Sequence, residues 1–135
     1  MLFTPAAFAA DNVWTFDPAL DRIYKMVLNL QTDQAYNELA TFKGGQELHT
    51  LYVQSLLETV DILITEDEKR FDKVNDRFKD RIEKLGRMPE SAETIFLQAE
   101  LSLQRGFNFL NLSQEVNAVL AIRQAYKYTQ ECLKK

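Results

Sequence analysis

Residues 17–33 read Asp17-Pro18-Ala19-Leu20-Asp21-Arg22-Ile23-Tyr24-Lys25-Met26-Val27-Leu28-Asn29-Leu30-Gln31-Thr32-Asp33. Within them lie a helix start, one apolar helical face, a turn and a second helix start. Asp17 supplies an N-cap oxygen, and Pro18 falls at the first helical position, where its missing N–H would have had no intrahelical partner. Leu20, Ile23, Tyr24, Val27 and Leu28 follow at i, i+3, i+4, i+7 and i+8, one side of a 3.6-residue helix. Leu30-Gln31-Thr32-Asp33 breaks the period and offers Thr32 or Asp33 as the cap of the next helix. The same succession of signals recurs at Thr65-Glu66-Asp67-Glu68 and at Asn111-Leu112-Ser113. The chain therefore reads as a run of helical hairpins.

Working outward from that stretch, Ala35, Tyr36, Leu39, Ala40 and Phe42 form the inner face of a shorter second helix, which Gly44-Gly45 ends. The third helix runs from Glu47 to Ile64. Its polar residues Glu47, Thr50, Gln54, Glu58, Asp61 and Thr65 fall at spacings of three and four, a thin stripe on an otherwise apolar cylinder. So narrow a polar edge places this helix centrally. Thr65 and Glu68 suit a capping box at the head of the fourth helix. That helix shows a thin seam of Phe71, Val74, Phe78, Ile82 and Leu85 beneath a charged surface, with Glu68, Asp72, Asp76 and Asp80 in one row and Lys69, Lys73, Arg77 and Arg81 in another. It reads as a solvated outer helix.

Gly86, Pro89 and Ser91 break the pattern and open the fifth helix, whose face holds Ile95, Phe96, Ala99, Ser102, Leu103, Gly106, Phe107 and Leu110. Ala99, Ser102 and Gly106 share a side and suit a close neighbour; a mid-helix glycine costs about 1 kcal/mol against alanine, so packing is its expected reason. Ser113 is the expected cap of the sixth helix, with Ala118, Ala121, Ile122, Ala125, Tyr126, Thr129 and Leu133 on one side. Leu28-Asn29-Leu30 and Leu110-Asn111-Leu112 repeat in letters and in role, and with the turn at Thr65 they give three hairpins.

Composition narrows the function classes. At 135 residues the chain suits one helical domain over residues 16–135, long enough to bury a core without metal or disulfide. A net charge of −4 argues against a nucleic-acid partner, which clustered Lys and Arg would serve. No apolar run approaches the roughly 20 residues of a membrane-spanning helix. The single histidine, His49, and the single cysteine, Cys132, lie far apart, so neither a zinc site nor a Glu-x-x-His di-iron set is expected. His49 is expected to be structural or solvated, and Cys132 a small packing residue. Gly44-Gly45 lacks the Lys-Ser/Thr and the preceding strand of a phosphate loop. No catalytic residues, metal or cofactor are expected, and the chain reads as a non-enzyme. Ala7-Phe8-Ala9 followed by Ala10-Asp11 has the small-x-small form of a signal-peptidase site, so residues 1–15 read as a signal-peptide tail, with the protein exported to the periplasm or envelope, or else as a flexible N-terminal segment of a cytoplasmic protein.

Helix pairs with small residues at their crossings and short turns resemble tetratricopeptide-type repeats. Asn12-Val13-Trp14-Thr15-Phe16-Asp17-Pro18-Ala19-Leu20-Asp21 with Leu28-Asn29-Leu30, Ile64-Thr65-Glu66-Asp67-Glu68 and the pair around Gln98-Ala99-Glu100 are similar to the N-terminal region of exported, largely uncharacterised bacterial TPR-like proteins. The Trp-Leu-Gly-Tyr signature of standard repeats is absent, and the hairpins are longer and unevenly spaced. The resemblance implies an all-α, right-handed array of three antiparallel hairpins, with the first, third and fifth helices lining one surface. It also implies a scaffold for a protein or peptide partner, with Gln54, Asp61, Gln98, Arg105 and Asn108 as groove residues. The rival expectation is a compact bundle that holds a small apolar ligand between the third and fifth helices.

Overall fold

The computed structural model describes residues 15–134, so the signal-peptide reading lies outside the described residues. Those residues form an all-α chain of six helices: α1 (Pro18–Leu28), α2 (Thr32–Thr41), α3 (Glu47–Thr65), α4 (Glu68–Arg87), α5 (Ala92–Asn111) and α6 (Glu115–Leu133). They gather into two compact units, Met1–Leu57 and Glu58–Lys135, with the division inside α3.

In the first unit α1 starts as its sequence requires: Asp17 Oδ1 accepts from the Ala19 N–H at 2.9 Å, with Pro18 just inside the helix. Leu20, Ile23 and Val27 are buried, whereas Leu28, at the end of the same stripe, is exposed. An ion pair of 2.6 Å between Arg22 and Glu38 ties α1 to α2. Of the expected inner face of α2 only Ala35 is buried; Tyr36, Leu39 and Phe42 are half-buried and Ala40 is exposed. The helix stops at Thr41, ahead of Gly44 and Gly45, whose φ of 92° and 72° carry the chain through the left-handed region toward α3. Phe16 anchors an aromatic cluster, edge-on to both Tyr24 and His49 at 5.3 Å between ring centroids and stacked on Tyr52 at 6.3 Å. His49 is therefore a buried structural ring.

The second unit holds the end of α3 and the last three helices. Thr65 is the last residue of α3, so it does not cap α4. Glu66 turns the chain at φ 52°, and the cap is Asp67, whose Oδ1 accepts from the Arg70 N–H at 3.0 Å. Phe71, Val74, Phe78 and Leu85 of α4 are buried as its seam predicts, with Phe71 edge-on to Phe109 of α5 at 5.0 Å. Gly86 is not a break: α4 continues to Arg87. Ser91 caps α5 through a reciprocal box with Thr94.

The α5 helix is buried without interruption from Thr94 to Ser102, and again at Gln104, Gly106, Asn108 and Phe109. Gly106 meets the expected close approach, since a Cβ there would stand 2.8 Å from Ile122 Cγ1 of α6. Ala118, Ala121 and Ala125 are the buried side of α6; Tyr126 and Leu133, expected on the same side, are exposed.

The α1–α2 and α5–α6 turns are geometric copies. In the first, Gln31 N–H reaches the Met26 carbonyl and Leu30 N–H the Val27 carbonyl; in the second, Gln114 reaches Phe109 and Ser113 reaches Leu110. Both are Schellman turns with a non-glycine residue in the left-handed conformation, Leu30 at φ 63° and Ser113 at φ 60°. Ser113 is thus the turn residue, and Gln114 precedes α6 without a side-chain cap. Gln31 plays the same part before α2, where neither Thr32 nor Asp33 caps. The copied geometry pairs Asn29 with Leu112, one position away from the repeat in letters.

Candidate functional site: a cationic cleft on three helices

Three helices of the second unit surround a cleft of about 490 Å³. Lys79, Ile82, Glu83, Gly86 and Arg87 come from α4, Gln98, Ser102 and Arg105 from α5, and Gln124 and Tyr128 from α6. The spacing explains the set: 79, 83, 86 and 87 recur at helical intervals along α4, while 98, 102 and 105 do so along α5. Gln98 Nε2 donates to the Ile82 carbonyl at 3.3 Å, and a Cβ on Gly86 would stand 3.0 Å from that nitrogen. Glycine at 86 keeps the amide of Gln98 where it is. On the α6 side, Gln124 Nε2 donates to Tyr128 Oη at 3.1 Å.

Three cations face one acid here. Arg87 pairs with Glu83 at 3.0 Å on the exposed rim. Arg105 lies deeper and is half-buried. Its Nε donates to Asn75 Oδ1, and its guanidinium sits 5.2 Å from the centre of the Phe109 ring. Both contacts, among the described residues, are to neutral groups, and burial lowers the guanidinium below its ordinary pKa. Ser102 contributes a hydroxyl that is buried without a hydrogen-bond partner among the described residues. No base is hydrogen-bonded to it among the described residues.

A buried polar chain links α3 to α5. Thr59 Oγ1 donates to Gln104 Oε1 at 3.0 Å, and Gln104 Nε2 donates to Glu100 Oε2 at 3.1 Å. Asn108 Nδ2 donates to the Thr59 carbonyl at 3.2 Å. Glu100 is fully buried and its Oε1 has no partner among the described residues. Desolvation raises its pKa from 4.5 to about 7, against the opposing effect of the Gln104 hydrogen bond.

The polar stripe of α3 is not a wet edge at this end. Glu58 and Asp61 are buried. Glu58 is gripped by Arg81, at 2.6 and 3.1 Å, and by Arg77 at 2.9 Å, while Asp61 meets Arg70 at 3.2 Å. Arginines at 70, 77 and 81 form one side of α4 and face those acids, so α4 is solvated only in part.

Of the five groove residues, Gln98 and Arg105 line the cleft. Asp61 is taken up by its ion pair with Arg70, and Asn108 by the Thr59 carbonyl. Gln54 is half-buried on α3 in the first unit. Lys79, Arg87, Ser102, Gln124 and Tyr128 were not singled out as binding residues by sequence; the i, i+4, i+8 row of Lys79, Glu83 and Arg87 is the signal that points to them. A second, smaller cleft of about 380 Å³ in the first unit is lined by Asp17, Arg22, Glu38 and Lys43, among others, and its central Arg22 and Glu38 neutralise each other. Among the described residues no group of three or more His, Cys, Asp or Glu converges as a metal site, and no helix is long and apolar enough to cross a membrane. Cys132 is half-buried with Sγ 3.5 Å from the Ala92 carbonyl, and burial pushes its thiol pKa up. Compared with family models, curated proteins and solved structures, the chain matches none.

Proposed function

We propose that the chain is a non-enzymatic protein-interaction module of TPR-like hairpins, and that its Glu58–Lys135 unit takes a carboxylate-bearing segment of a partner protein into the α4–α5–α6 cleft. One observation carries the proposal: Arg105 is a half-buried cation whose contacts among the described residues are neutral, in a cleft it shares with Lys79, Arg87 and a Ser102 hydroxyl that has no hydrogen-bond partner among the described residues. A desolvated guanidinium is best compensated by a carboxylate, which it can hold through two parallel N–H donors. On a chain of net charge −4 such a cleft is also a local attractor for acidic ligands. The apolar-ligand reading has less support, because the α3–α5 contact that would line its cavity carries the Thr59, Gln104 and Asn108 hydrogen bonds. Export belongs to the same proposal on the strength of Ala7-Phe8-Ala9 alone, and a periplasmic reporter fused after Asp11 tests it.

The binding test is fluorescence anisotropy with a labelled Glu-rich peptide at low salt. Arg105→Gln weakens binding at least tenfold, since a hydrogen bond to a charged group contributes about 1.5–3 kcal/mol. Lys79→Gln acts more mildly and flattens the salt dependence. Equal affinity for a Lys-rich peptide, or an Arg105→Gln variant that binds as the native chain does, contradicts the proposal.

A further inference from the structure

Four cations stand together on one side of α4. Lys69, Arg70, Lys73 and Arg77, with Asp67, line a cleft of about 410 Å³. Their spacing keeps them on that side over about 12 Å of helix. The two arginines are held from behind: Arg70 Nε meets Asp61 at 3.2 Å and Arg77 Nε meets Glu58 at 2.9 Å, and both acids are buried. Each contact runs through Nε, and the two side chains are 51% and 48% exposed, so the terminal nitrogens are left toward the cleft. Glu58 also keeps Arg81 at 2.6 Å and does not depend on Arg77 for its neutrality. Lys69 and Lys73 are exposed and pair with no acid among the described residues. Asp67 is occupied as the helix cap, accepting from the Arg70 N–H. Five cations of α4 thus meet three acids, and the face keeps a surplus of two positive charges.

We propose that this cleft is a second anion site, and that it takes a soluble anion of linked phosphoryl groups, of which pyrophosphate is the simplest. A guanidinium whose Nε is engaged still offers its two terminal nitrogens end-on, a fork that fits two oxygens of one phosphoryl group, while a lysine adds a point charge. Arg70 and Arg77 lie about 10 Å apart along the helix, too far for the oxygens of a single phosphate. Linked phosphates bridge that interval, and Lys73 stands in the middle of it. The buried acids orient both guanidiniums before any ligand arrives, which lowers the ordering cost of binding. An anion here also meets the positive end of the α4 dipole, since Lys69 and Arg70 belong to its first turn. A nucleic acid would need a longer cationic track than one side of one helix provides. The site shares no lining residue with the α4–α5–α6 cleft, so the two readings stand or fall separately.

Isothermal titration calorimetry of the native chain with inorganic pyrophosphate, at about 0.15 M salt to screen loose surface attraction, shows one site. Orthophosphate and citrate bind at least tenfold more weakly; citrate is the control for charge alone, because it offers carboxylates in place of phosphoryl groups. Lys69→Gln/Lys73→Gln weakens pyrophosphate at least tenfold with unchanged circular dichroism, both lysines being exposed. Amide NMR places the pyrophosphate shifts at Arg70, Lys73 and Arg77 and not at Gln98 and Ser102. No binding, citrate held as tightly as pyrophosphate, a double variant that binds as the native chain does, or shifts centred on Gln98 and Ser102 overturns the proposal.

Discussion

Replacing Glu100 with glutamine tests whether the buried polar chain responds to pH. Glu100 is fully buried, and its pKa lies at about 7 in the folded chain against 4.5 when it is solvated. Because the folded-state value is the higher one, the native fold favours the protonated acid. The stability linked to Glu100 is complete below pH 4.5 and falls as pH rises from 4.5 to 7. Over that window the slope is about 1.4 kcal/mol per pH unit, and above pH 7 the accumulated loss levels off at roughly 3 kcal/mol. Glu100→Gln keeps the shape and can still accept from Gln104 through its amide oxygen, but it cannot ionise. Thermal melts of both proteins, recorded side by side from pH 4.5 to 8, isolate this group from every other titration. The variant melts close to the native chain at pH 4.5 and roughly 10 °C above it at pH 8. Carbon NMR of the Glu100 carboxyl gives the matching midpoint near 7. A difference in melting temperature that stays flat across the window, or a midpoint near 4.5, refutes the argument.

Three further sets of substitutions probe the packing. Arg81→Ala strips the more buried partner from Glu58 and lowers stability by about 2–3 kcal/mol, whereas Arg77→Ala, at an arginine 48% exposed, loses less than about 1 kcal/mol; urea melts that reverse this order count against the ion ladder. Gly106→Ala drives a methyl into Ile122 and destabilises by about 1–2 kcal/mol despite the gain in helix propensity. Ile122→Ala in the same chain recovers part of that loss, and purely additive effects would show that the two residues do not touch. Ser113→Gly relieves a left-handed serine and raises stability by up to about 1 kcal/mol, while Ser113→Val lowers it; the opposite order in thermal melts contradicts the Schellman geometry.

What the sequence made legible was local. Asp17-Pro18 and Ser91 start helices because a cap acts over three residues, and the seams at Leu20, Ile23 and Val27 or Phe71, Val74 and Phe78 repeat within one cylinder. The errors came where partners lie elsewhere in the chain. Thr65 and Ser113 are good caps by type, yet the left-handed residue that closes each turn decides where the next helix begins, and Glu66 and Ser113 take that part without being glycine. Glu58 and Asp61 looked wet because nothing on α3 pairs with them; their arginines come from α4. Tyr126 and Leu133 lie near the boundary between the two sides of α6, where periodicity cannot choose. The cleft was legible in part: Gln98 and Arg105 stood out as polar residues on an apolar helix, but Ser102 read only as small and Tyr128 carried no signal of its own.

The measurement that bears most directly on the interaction reading is an amide NMR titration of the native chain with the Glu-rich peptide. Binding in the cleft perturbs Gly86, Gln98, Ser102 and Gln124 together, with little effect on α1 and α2, and Arg105→Gln abolishes the pattern. Shifts scattered over both units, or none at saturating peptide, would contradict the account.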